Sequence, residues 1–482
     1  MRSSLRGAIA VAIAVLAIHM ATNHRYGFHR DELQTLDDAR HLAWGYVVYP
    51  PLTPAVARMA LELFGPSLTG LRFFTALAQS LIIVLAALMA RELGGGSTAQ
   101  TVAAGMAAVA PVSVIQGALF QYVAFDALWW VLIAWLMIRL IRTEDERLWV
   151  AIGAVIGLGA LTRYTIAFFI AGIVAAVMLT PLRRQLRSPW LWCGVAVSVL
   201  IFLPNFLWQI RHDFISLEFL RSIHARDVEI GRTGGFLAEQ AFVPASIFTI
   251  PWWVAGLWFY LRSPRFRAIA WMFVVPMVLF VIAEGRSYYT TPLYPMLLAA
   301  GAVVFQRRTV AAAVAIACGA IMSGALMLPI APVGSPWWNV VARLQDNFAE
   351  QIGWPELVAK VAQIYRSIPP EERAKTAILT MNYGEAGAVN LYGPAHGLPR
   401  AISGVNSHWS RGYGPFPPEK VIVLGSAKEH SSRRFRDCEV AGIVSNPWGV
   451  ENEESRDHPE ILVCGPPHRH WPELWATMRR FG

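Results

Sequence analysis

Two adjacent carboxylates, Asp31 and Glu32, follow the first apolar segment of the chain, and Arg30 directly precedes them. A positioned carboxylate can take the proton of a hydroxyl group as a general base, so both acids are candidate catalytic residues. Apolar or small residues recur at helical spacing from position 33 to position 43, which predicts an amphipathic helix here. Acids at a helix start also offset the positive end of the helix dipole, and this explanation without chemistry stays open.

Arginines and tyrosines occur at the ends of other apolar segments. Arg163 and Tyr164 separate two short apolar stretches, and Arg286 is followed by Tyr288 and Tyr289. A guanidinium binds phosphate oxygens through charge-assisted hydrogen bonds, and tyrosine hydroxyls supply further donors. Arg163, Arg286, Tyr288 and Tyr289 are therefore predicted to bind a phosphate group, although Arg163 could instead extend to lipid head groups.

Four more residues are predicted to line the substrate cavity: Arg30, Tyr49, Asp126 and Tyr164. Asp126 is the one carboxylate within its apolar segment, and an ionisable group at membrane depth usually faces a polar cavity or a partner. Tyr49 precedes two prolines that reverse the chain rigidly, and its side chain could face a ligand. The prolines themselves need no explanation beyond the turn.

The composition indicates that these residues are positioned by a membrane protein. Of 482 residues, 55% are hydrophobic and only 15% are charged, whereas a soluble protein carries roughly 25% charged residues. A soluble enzyme, a disordered protein and a disulfide miniprotein are thereby excluded. Segments long enough to cross a ~30 Å hydrocarbon core predict about eleven spans. They lie near 5–22, 68–90, 98–119, 122–141, 148–161, 164–180, 190–209, 237–261, 268–283, 290–305 and 309–330.

The arginines between these segments predict the orientation. Arg2 and Arg6 begin the chain like a signal peptide, but the ten spans that follow favour a retained anchor. With the N-terminus in the cytoplasm, the basic loops fall on the cytoplasmic side. The loops at 23–67, 162–163, 210–236 and 284–289 then lie outside, with everything after residue 331. Topology thus explains the net charge of +9, and nucleic acid is not a predicted partner.

The sequence predicts two domains. Residues 1–334 form the transmembrane domain, with amphipathic helices on the outer membrane surface within 23–67, and residues 335–482 form a soluble periplasmic α/β domain. Strands are expected near 377–380, 421–425 and 461–464, with helices near 355–366 and 470–479. In the periplasm Cys438 and Cys464 could form a disulfide, and two free thiols are the alternative. No metal-ligand spacing is found, so no metal site is predicted, and a role for a divalent cation stays open.

Taken together, these segments resemble the polytopic GT-C glycosyltransferases of family 39, the protein mannosyltransferase and aminoarabinose transferase group. The resemblance rests on Arg30-Asp31-Glu32-Leu33, Trp44-Gly45-Tyr46 to Tyr49-Pro50-Pro51-Leu52, Leu161-Thr162-Arg163-Tyr164-Thr165, Arg286 through Tyr294-Pro295, Asn382-Tyr383-Gly384-Glu385-Ala386-Gly387 and Leu391-Tyr392-Gly393-Pro394. It implies a sugar donor linked to polyprenyl phosphate and a lipid, glycan or protein hydroxyl as acceptor, at the outer face of the bacterial cytoplasmic membrane.

The resemblance also implies residue roles. Asp31 corresponds to the proposed catalytic base of the family. The aminoarabinose transferases have a lysine before Pro-Pro-Leu that contacts the donor phosphate, whereas this chain has Tyr49. Arg163 and Arg286 are then the expected phosphate contacts, and the identity of the sugar cannot be carried over.

A single displacement at the anomeric carbon, and hence inversion, is expected from the one prominent carboxylate pair. Two alternatives from other classes stay open at this point. A polytopic transporter would show repeated halves and ionisable groups near mid-membrane, whereas the charges here are mostly at the outer rim. A non-catalytic lipid-binding protein of the same fold is the third candidate.

Overall fold

The protein is described by a computed structural model over residues 5–482, so Arg2 lies outside the described residues. Helices dominate the first two thirds of the chain. In chain order they are Arg6–Thr22, Arg30–Ala39, Leu52–Phe64, Leu68–Glu92, Ser97–Ala108, Pro111–Ala118, Tyr122–Thr143, Leu148–Ala160, Ile166–Met178, Pro189–Arg211, Ile215–Glu229, Phe236–Glu239, Ile250–Arg262, Arg267–Ile282, Tyr294–Val304 and Thr309–Met327. Short 3-10 helices at Pro181–Arg187, Ile247–Thr249 and Ser287–Leu293 connect some of them.

Four of these helices are long and apolar enough to cross a membrane by length and composition, and three bent helix pairs raise the number to at most seven. Two shorter apolar helices, Arg6–Thr22 and Leu148–Ala160, accompany them. The predicted count of eleven spans is therefore not confirmed. The count differs because several predicted spans are short or broken helices rather than straight ones of full membrane length.

Prolines lie at the two clearest departures. The predicted span 98–119 is two helices that meet at 66°, at a break just before Pro111. Proline lacks an N–H and disfavours helical geometry in the residue before it, so the helix cannot continue through that point. The predicted span 237–261 is helical mainly over Ile250–Arg262, where Pro251 occupies the first turn.

Glycines allow the membrane helices to pack closely. Helices Leu148–Ala160 and Pro189–Arg211 approach at Gly153 and Gly194, where a Cβ on Gly153 would overlap the Gly194 carbonyl group. Between helices Ile250–Arg262 and Tyr294–Val304, a Cβ on Gly256 would overlap the Leu297 carbonyl group, and a Cβ on Gly301 would overlap that of Trp252. Small residues at such crossings let helix backbones come together where lipid gives no hydrophobic drive for association.

The C-terminal part is built around a five-stranded sheet. Its strands are β1 (Thr376–Thr380), β2 (Ala401–Ser403), β3 (Lys420–Leu424), β4 (Glu439–Ile443) and β5 (Glu460–Cys464), in the spatial order β2-β1-β3-β5-β4. β1 pairs in parallel with β2 and β3, while β5 is antiparallel to β3 and β4. Its helices are Pro336–Leu344, Trp354–Ser367, Pro370–Arg373, Tyr383–Tyr392, Lys428–Ser432, Glu453–Asp457 and Trp471–Ala476.

The three strands expected from apolar runs are present, whereas β2 and β4 were not predicted. β2 has only three residues, and β4 is mostly exposed, so neither carries a buried apolar run. Cys438 and Cys464 form a disulfide, which decides between the two alternatives left open by the sequence. The bond joins the chain just before β4 to the end of β5.

The helix predicted after the first apolar segment is formed by Arg30–Ala39 and is called the acidic helix below. It packs between helix Leu52–Phe64 and helix Tyr383–Tyr392 of the C-terminal part, and residues 32–39 are all buried. Gly387 lies against Leu33 so closely that a Cβ would clash with its backbone. The polar face of this helix is buried because ionic partners from other elements surround it.

Candidate active site

One large cavity of about 1560 Å³ opens beside the acidic helix. Its wall combines side chains from the membrane helices and from the C-terminal part. Of the residues predicted from the sequence, the cavity is lined by Arg30, Asp31, Tyr49, Arg163, Tyr164, Arg286, Tyr288 and Tyr289. Glu32 and Asp126 do not line it.

Asp31 presents a partly free carboxylate to this cavity, since 40% of its side chain is exposed. Its Oδ1 accepts a 2.9 Å hydrogen bond from the Tyr383 hydroxyl, and its Oδ2 accepts a 2.8 Å hydrogen bond from Gln121 Nε2. Neither donor was predicted as a site residue. Gln121 directly precedes a membrane helix, and only its polar character at a segment end could have indicated it. Tyr383 follows the turn after β1 and belongs to the 382–387 segment of the family resemblance, but no role was predicted for it.

A capping box fixes the start of the acidic helix. The imidazole Nδ1 of His29 accepts the Asp31 N–H at 3.2 Å, and Glu32 Oε2 accepts the His29 N–H at 2.8 Å. Burial lowers the pKa of His29, which keeps the ring neutral and able to accept. These two bonds satisfy backbone donors at the helix start and set the direction in which Asp31 projects.

Glu32, the second candidate catalytic acid, occupies a different environment from Asp31 and does not line the cavity. Arg72 donates to both of its oxygens, with 2.8 Å from Nε to Oε1 and 2.7 Å from Nη2 to Oε2. The Phe120 N–H also donates to Oε1 at 2.7 Å. Consecutive helix residues point about 100° apart, so Asp31 faces the cavity while Glu32 is buried behind it.

Arg163 is held between aromatic rings. Its guanidinium carbon lies 4.2 Å from the centroid of Tyr289 and 5.2 Å from that of Tyr122. Its Nη1 lies 3.6 Å from Asp126 Oδ2, and Asp126 Oδ1 accepts a hydrogen bond from Trp130. Asp126 is thus a buried partner of Arg163 rather than a cavity residue, as an ionisable group at this depth requires.

Arg286 is oriented by an acid that the sequence did not indicate. Asp227 accepts two hydrogen bonds from its guanidinium, 2.8 Å from Nε and 2.5 Å from Nη2. Tyr288 and Tyr289 pack edge to face beside it, with ring centroids 4.7 Å apart. Two preoriented guanidinium groups and tyrosine rings therefore share the cavity with the Asp31 carboxylate.

The remaining predicted residues have internal partners. Arg30 pairs with Glu453 at 2.7 Å, so the C-terminal part balances its charge, and Glu454 lies 3.5 Å away. The Tyr49 hydroxyl donates to Asp38 Oδ2 at 2.7 Å, and the Tyr164 hydroxyl donates to Asn205 at 3.1 Å. These side chains shape the wall, while the Asp31 side chain stays 40% exposed.

A metal cluster is not evident in the described part of the chain. Among residues 5–482 no group of three or more histidine, cysteine, aspartate or glutamate side chains is arranged to hold an ion. The carboxylates of Glu32, Asp227 and Asp31 are instead engaged with arginines, tyrosine or glutamine.

The chain is similar in sequence and in structure to known membrane glycosyltransferases. The family model described as dolichyl-phosphate-mannose-protein mannosyltransferase matches residues 48–208. The structure of ArnT from Cupriavidus metallidurans bound to undecaprenyl phosphate superposes with a TM-score of 0.60 at 17% sequence identity, over 95% of this chain and 97% of that chain. This chain has the GT-C fold. That fold is a helical membrane architecture with a C-terminal sheet domain, and the resemblance to family 39 drawn from the sequence is confirmed.

Two curated relatives of this GT-C chain are named enzymes. One is the lipid A galacturonosyltransferase RgtD of Rhizobium johnstonii, 26% identical over 54% of this chain and 55% of that protein. The other is undecaprenyl phosphate-alpha-4-amino-4-deoxy-L-arabinose arabinosyl transferase 1 of Pseudomonas fluorescens, 27% identical over 51% of this chain and 47% of that protein. The chain thus spans about half the length of the curated relatives it matches.

Proposed function

We propose that this protein is a glycosyltransferase that moves a sugar from a polyprenyl-phosphate donor to a hydroxyl group of a lipid or glycan acceptor. The observation that carries the proposal is that Asp31, Arg163 and Arg286 line a single cavity. A base and two phosphate-binding cations are thereby available to one bound donor. The matches to named lipid A and aminoarabinose transferases support the same class of donor and a lipid acceptor.

Asp31 is assigned as the general base. An acceptor hydroxyl is a poor nucleophile at neutral pH, so a carboxylate must take its proton as the new glycosidic bond forms. Asp31 suits this step because its side chain remains partly exposed while two donors hold it in place. The proton moves from the acceptor oxygen to the carboxylate, and the bonding pair of the old glycosidic bond leaves with the donor phosphate.

Arg163 and Arg286 are assigned to the donor phosphate. Negative charge grows on the phosphate oxygens as the sugar departs, and cations held in place beforehand stabilise that charge without reorganising. Tyr288 and Tyr289 border the same region and add hydroxyl donors. Asp126 and Asp227 support the site by orienting the two guanidinium groups.

We infer inversion at the anomeric carbon, because Glu32, the acid next to Asp31 in the sequence, is not available as a second carboxylate. A retaining reaction needs a second carboxylate as nucleophile beside the first. Glu32 is the adjacent acid in sequence, yet its oxygens are bonded to Arg72 and Phe120 and it does not face the cavity. Direct displacement by the acceptor hydroxyl is therefore the proposed course.

The reaction is proposed to take place at the outer face of the bacterial cytoplasmic membrane, with the C-terminal sheet domain in the periplasm. The arginine bias of the alternate loops supports this orientation. The Cys438–Cys464 disulfide also supports it, because disulfides persist mainly in oxidising compartments.

The test is a comparison of envelope lipids. Lipopolysaccharide and glycolipids from a deletion strain are analysed by mass spectrometry beside those of the parent strain. The expected result is a mass deficit equal to one sugar in one glycolipid class, restored by the wild-type gene. Unchanged masses, combined with altered uptake of a labelled solute into vesicles, would contradict sugar transfer and favour a transporter.

A further inference from the structure

The carboxyl ends of the parallel strands in the C-terminal domain face the membrane-domain cavity. Asn382 and Tyr383 follow β1, Asn406 follows β2, and all three line the cavity wall. In open α/β sheets this edge is where ligands usually bind. Here the same edge is turned toward the acidic helix, so it meets the residue assigned as the base.

Tyr383 makes the most direct of these contacts. Its hydroxyl donates to Asp31 Oδ1 at 2.9 Å, and its ring is largely buried, with 9% exposed. The guanidinium carbon of Arg30 lies 5.6 Å from the ring centroid. The phenol is thereby fixed on one side by Arg30 and on the other by the carboxylate it binds.

A second contact fixes the same face of the acidic helix. Asn406 Nδ2 donates to Gln34 Oε1 at 3.0 Å, and Gln34 lies three residues after Asp31 on the helix surface. Residues three apart share one helix face. The loops after β1 and β2 therefore both hold the part of the acidic helix that carries the base.

We propose that Tyr383 is a positioning residue for Asp31, so that the C-terminal domain completes the active site rather than only covering it. The proposal rests on the proposed function, since Asp31 has this role only if it is the base. The phenol anchors Oδ1 while Gln121 anchors Oδ2, which fixes the plane of the carboxylate and leaves its remaining lone pairs for the acceptor proton. Loss of one anchor lets the carboxylate rotate away from that proton, and small misplacements of catalytic groups slow reactions strongly.

The test compares Tyr383→Phe with Tyr413→Phe in the full-length protein. The first substitution keeps the ring packing and removes only the hydroxyl donor. Tyr413 lies in the same domain, packs against Trp471, and its hydroxyl makes no hydrogen bond among the described residues, so it is a matched control. Purified variants are assayed with undecaprenyl-phosphate-linked 4-amino-4-deoxy-L-arabinose, or with the donor sugar identified by the deletion strain, and with the acceptor from the same strain.

The expected result for Tyr383→Phe is a fall in kcat of about 10- to 100-fold with the donor KM unchanged. Tyr413→Phe is expected to match the wild type in both constants. Tyr383→His retains a hydrogen-bond donor, so its kcat should lie between those of Tyr383→Phe and the wild type. This variant also tests the proposal if Tyr383→Phe does not assemble correctly. Monodisperse elution in detergent and an unchanged midpoint of thermal unfolding establish correct folding.

The failures of the two proposals can be told apart. If Tyr383→Phe keeps the wild-type kcat while Asp31→Asn is inactive, the positioning role is wrong and the sugar transfer stands. If the donor KM rises with kcat unchanged, Tyr383 contacts the donor and does not position the base. Full activity of Asp31→Asn would overturn both proposals.

Discussion

Glu32 and Arg72 form an ion pair in which both side chains are fully buried, with 2.7 Å between Oε2 and Nη2. Arg72 also donates to the carbonyl oxygens of Asn23 and Gly27, at 3.0 Å and 2.9 Å. One guanidinium therefore ties helix Leu68–Glu92 to the acidic helix and to the loop before it. This pair holds the acidic helix against helix Leu68–Glu92.

Removing one partner of this pair is expected to destabilise the fold. Arg72→Ala leaves the Glu32 carboxylate buried without its counter-ion, which costs about 3–5 kcal/mol in the free energy of unfolding. Denaturant unfolding of the detergent-solubilised protein measures the effect. Arg58→Ala is the control, because the Arg58–Glu62 pair is on the surface and contributes about 0–1 kcal/mol. Equal losses in the two variants would contradict the anchoring role of Arg72.

Loss of either arginine assigned to the donor phosphate in the proposed function is expected to weaken donor binding. A hydrogen bond to a charged group contributes about 1.5–3 kcal/mol, so Arg163→Ala and Arg286→Ala should each raise the donor KM by about 10- to 150-fold. Steady-state kinetics with purified protein provide the measurement.

The control for the arginine variants is Arg183→Ala. Arg183 is exposed, lies in the 3-10 helix Pro181–Arg187 and does not line the cavity. Its substitution should leave the donor KM unchanged. An unaltered KM in both Arg163→Ala and Arg286→Ala would show that the phosphate is bound elsewhere.

The stability of the C-terminal domain is expected to depend on pH through buried glutamates. Burial, together with the nearby Glu454 carboxylate, raises the pKa of Glu385 to about 8. An unfolded glutamate ionises near pH 4.3, so between about pH 4.3 and 8 the folded state holds a proton that the unfolded state has lost. The free energy of unfolding should fall as pH rises through this window, by up to ~1.4 kcal/mol per pH unit for this group.

Glu385→Gln should reduce that slope, because the amide stays neutral at every pH. Burial also raises the pKa of Glu454 to about 8, so the double variant with Glu454→Gln should flatten the profile further. Glu419→Gln, at an exposed pair with Lys375, serves as the control. The measurement is denaturant titration of the full chain from about pH 4 to pH 9. Parallel curves of unfolding free energy against pH for the wild type and the double variant would contradict this assignment.

The sequence identified the elements that carry long apolar patterns and the residues of unusual type within them. Helix Leu68–Glu92 and strand Lys420–Leu424 follow directly from apolar runs, and Asp31, Arg163 and Arg286 stood out as charges at segment ends. Asp227, Gln121 and Tyr383 did not, because their importance comes from contacts with residues 59, 90 and 352 positions away in the chain. The burial of the acidic helix was missed for the same reason, since its ionic partners come from distant elements.

The rate of sugar transfer by Asp31→Asn at saturating donor and acceptor tests the role of this carboxylate most directly. Asparagine keeps the shape of the side chain and removes the base, so kcat should fall by about 10²- to 10⁴-fold while the protein still inserts and binds donor. Asp457→Asn, at an exposed pair with Arg456, should retain the wild-type rate. A correctly inserted Asp31→Asn protein that transfers sugar at the wild-type rate would contradict the assignment of Asp31 as the base.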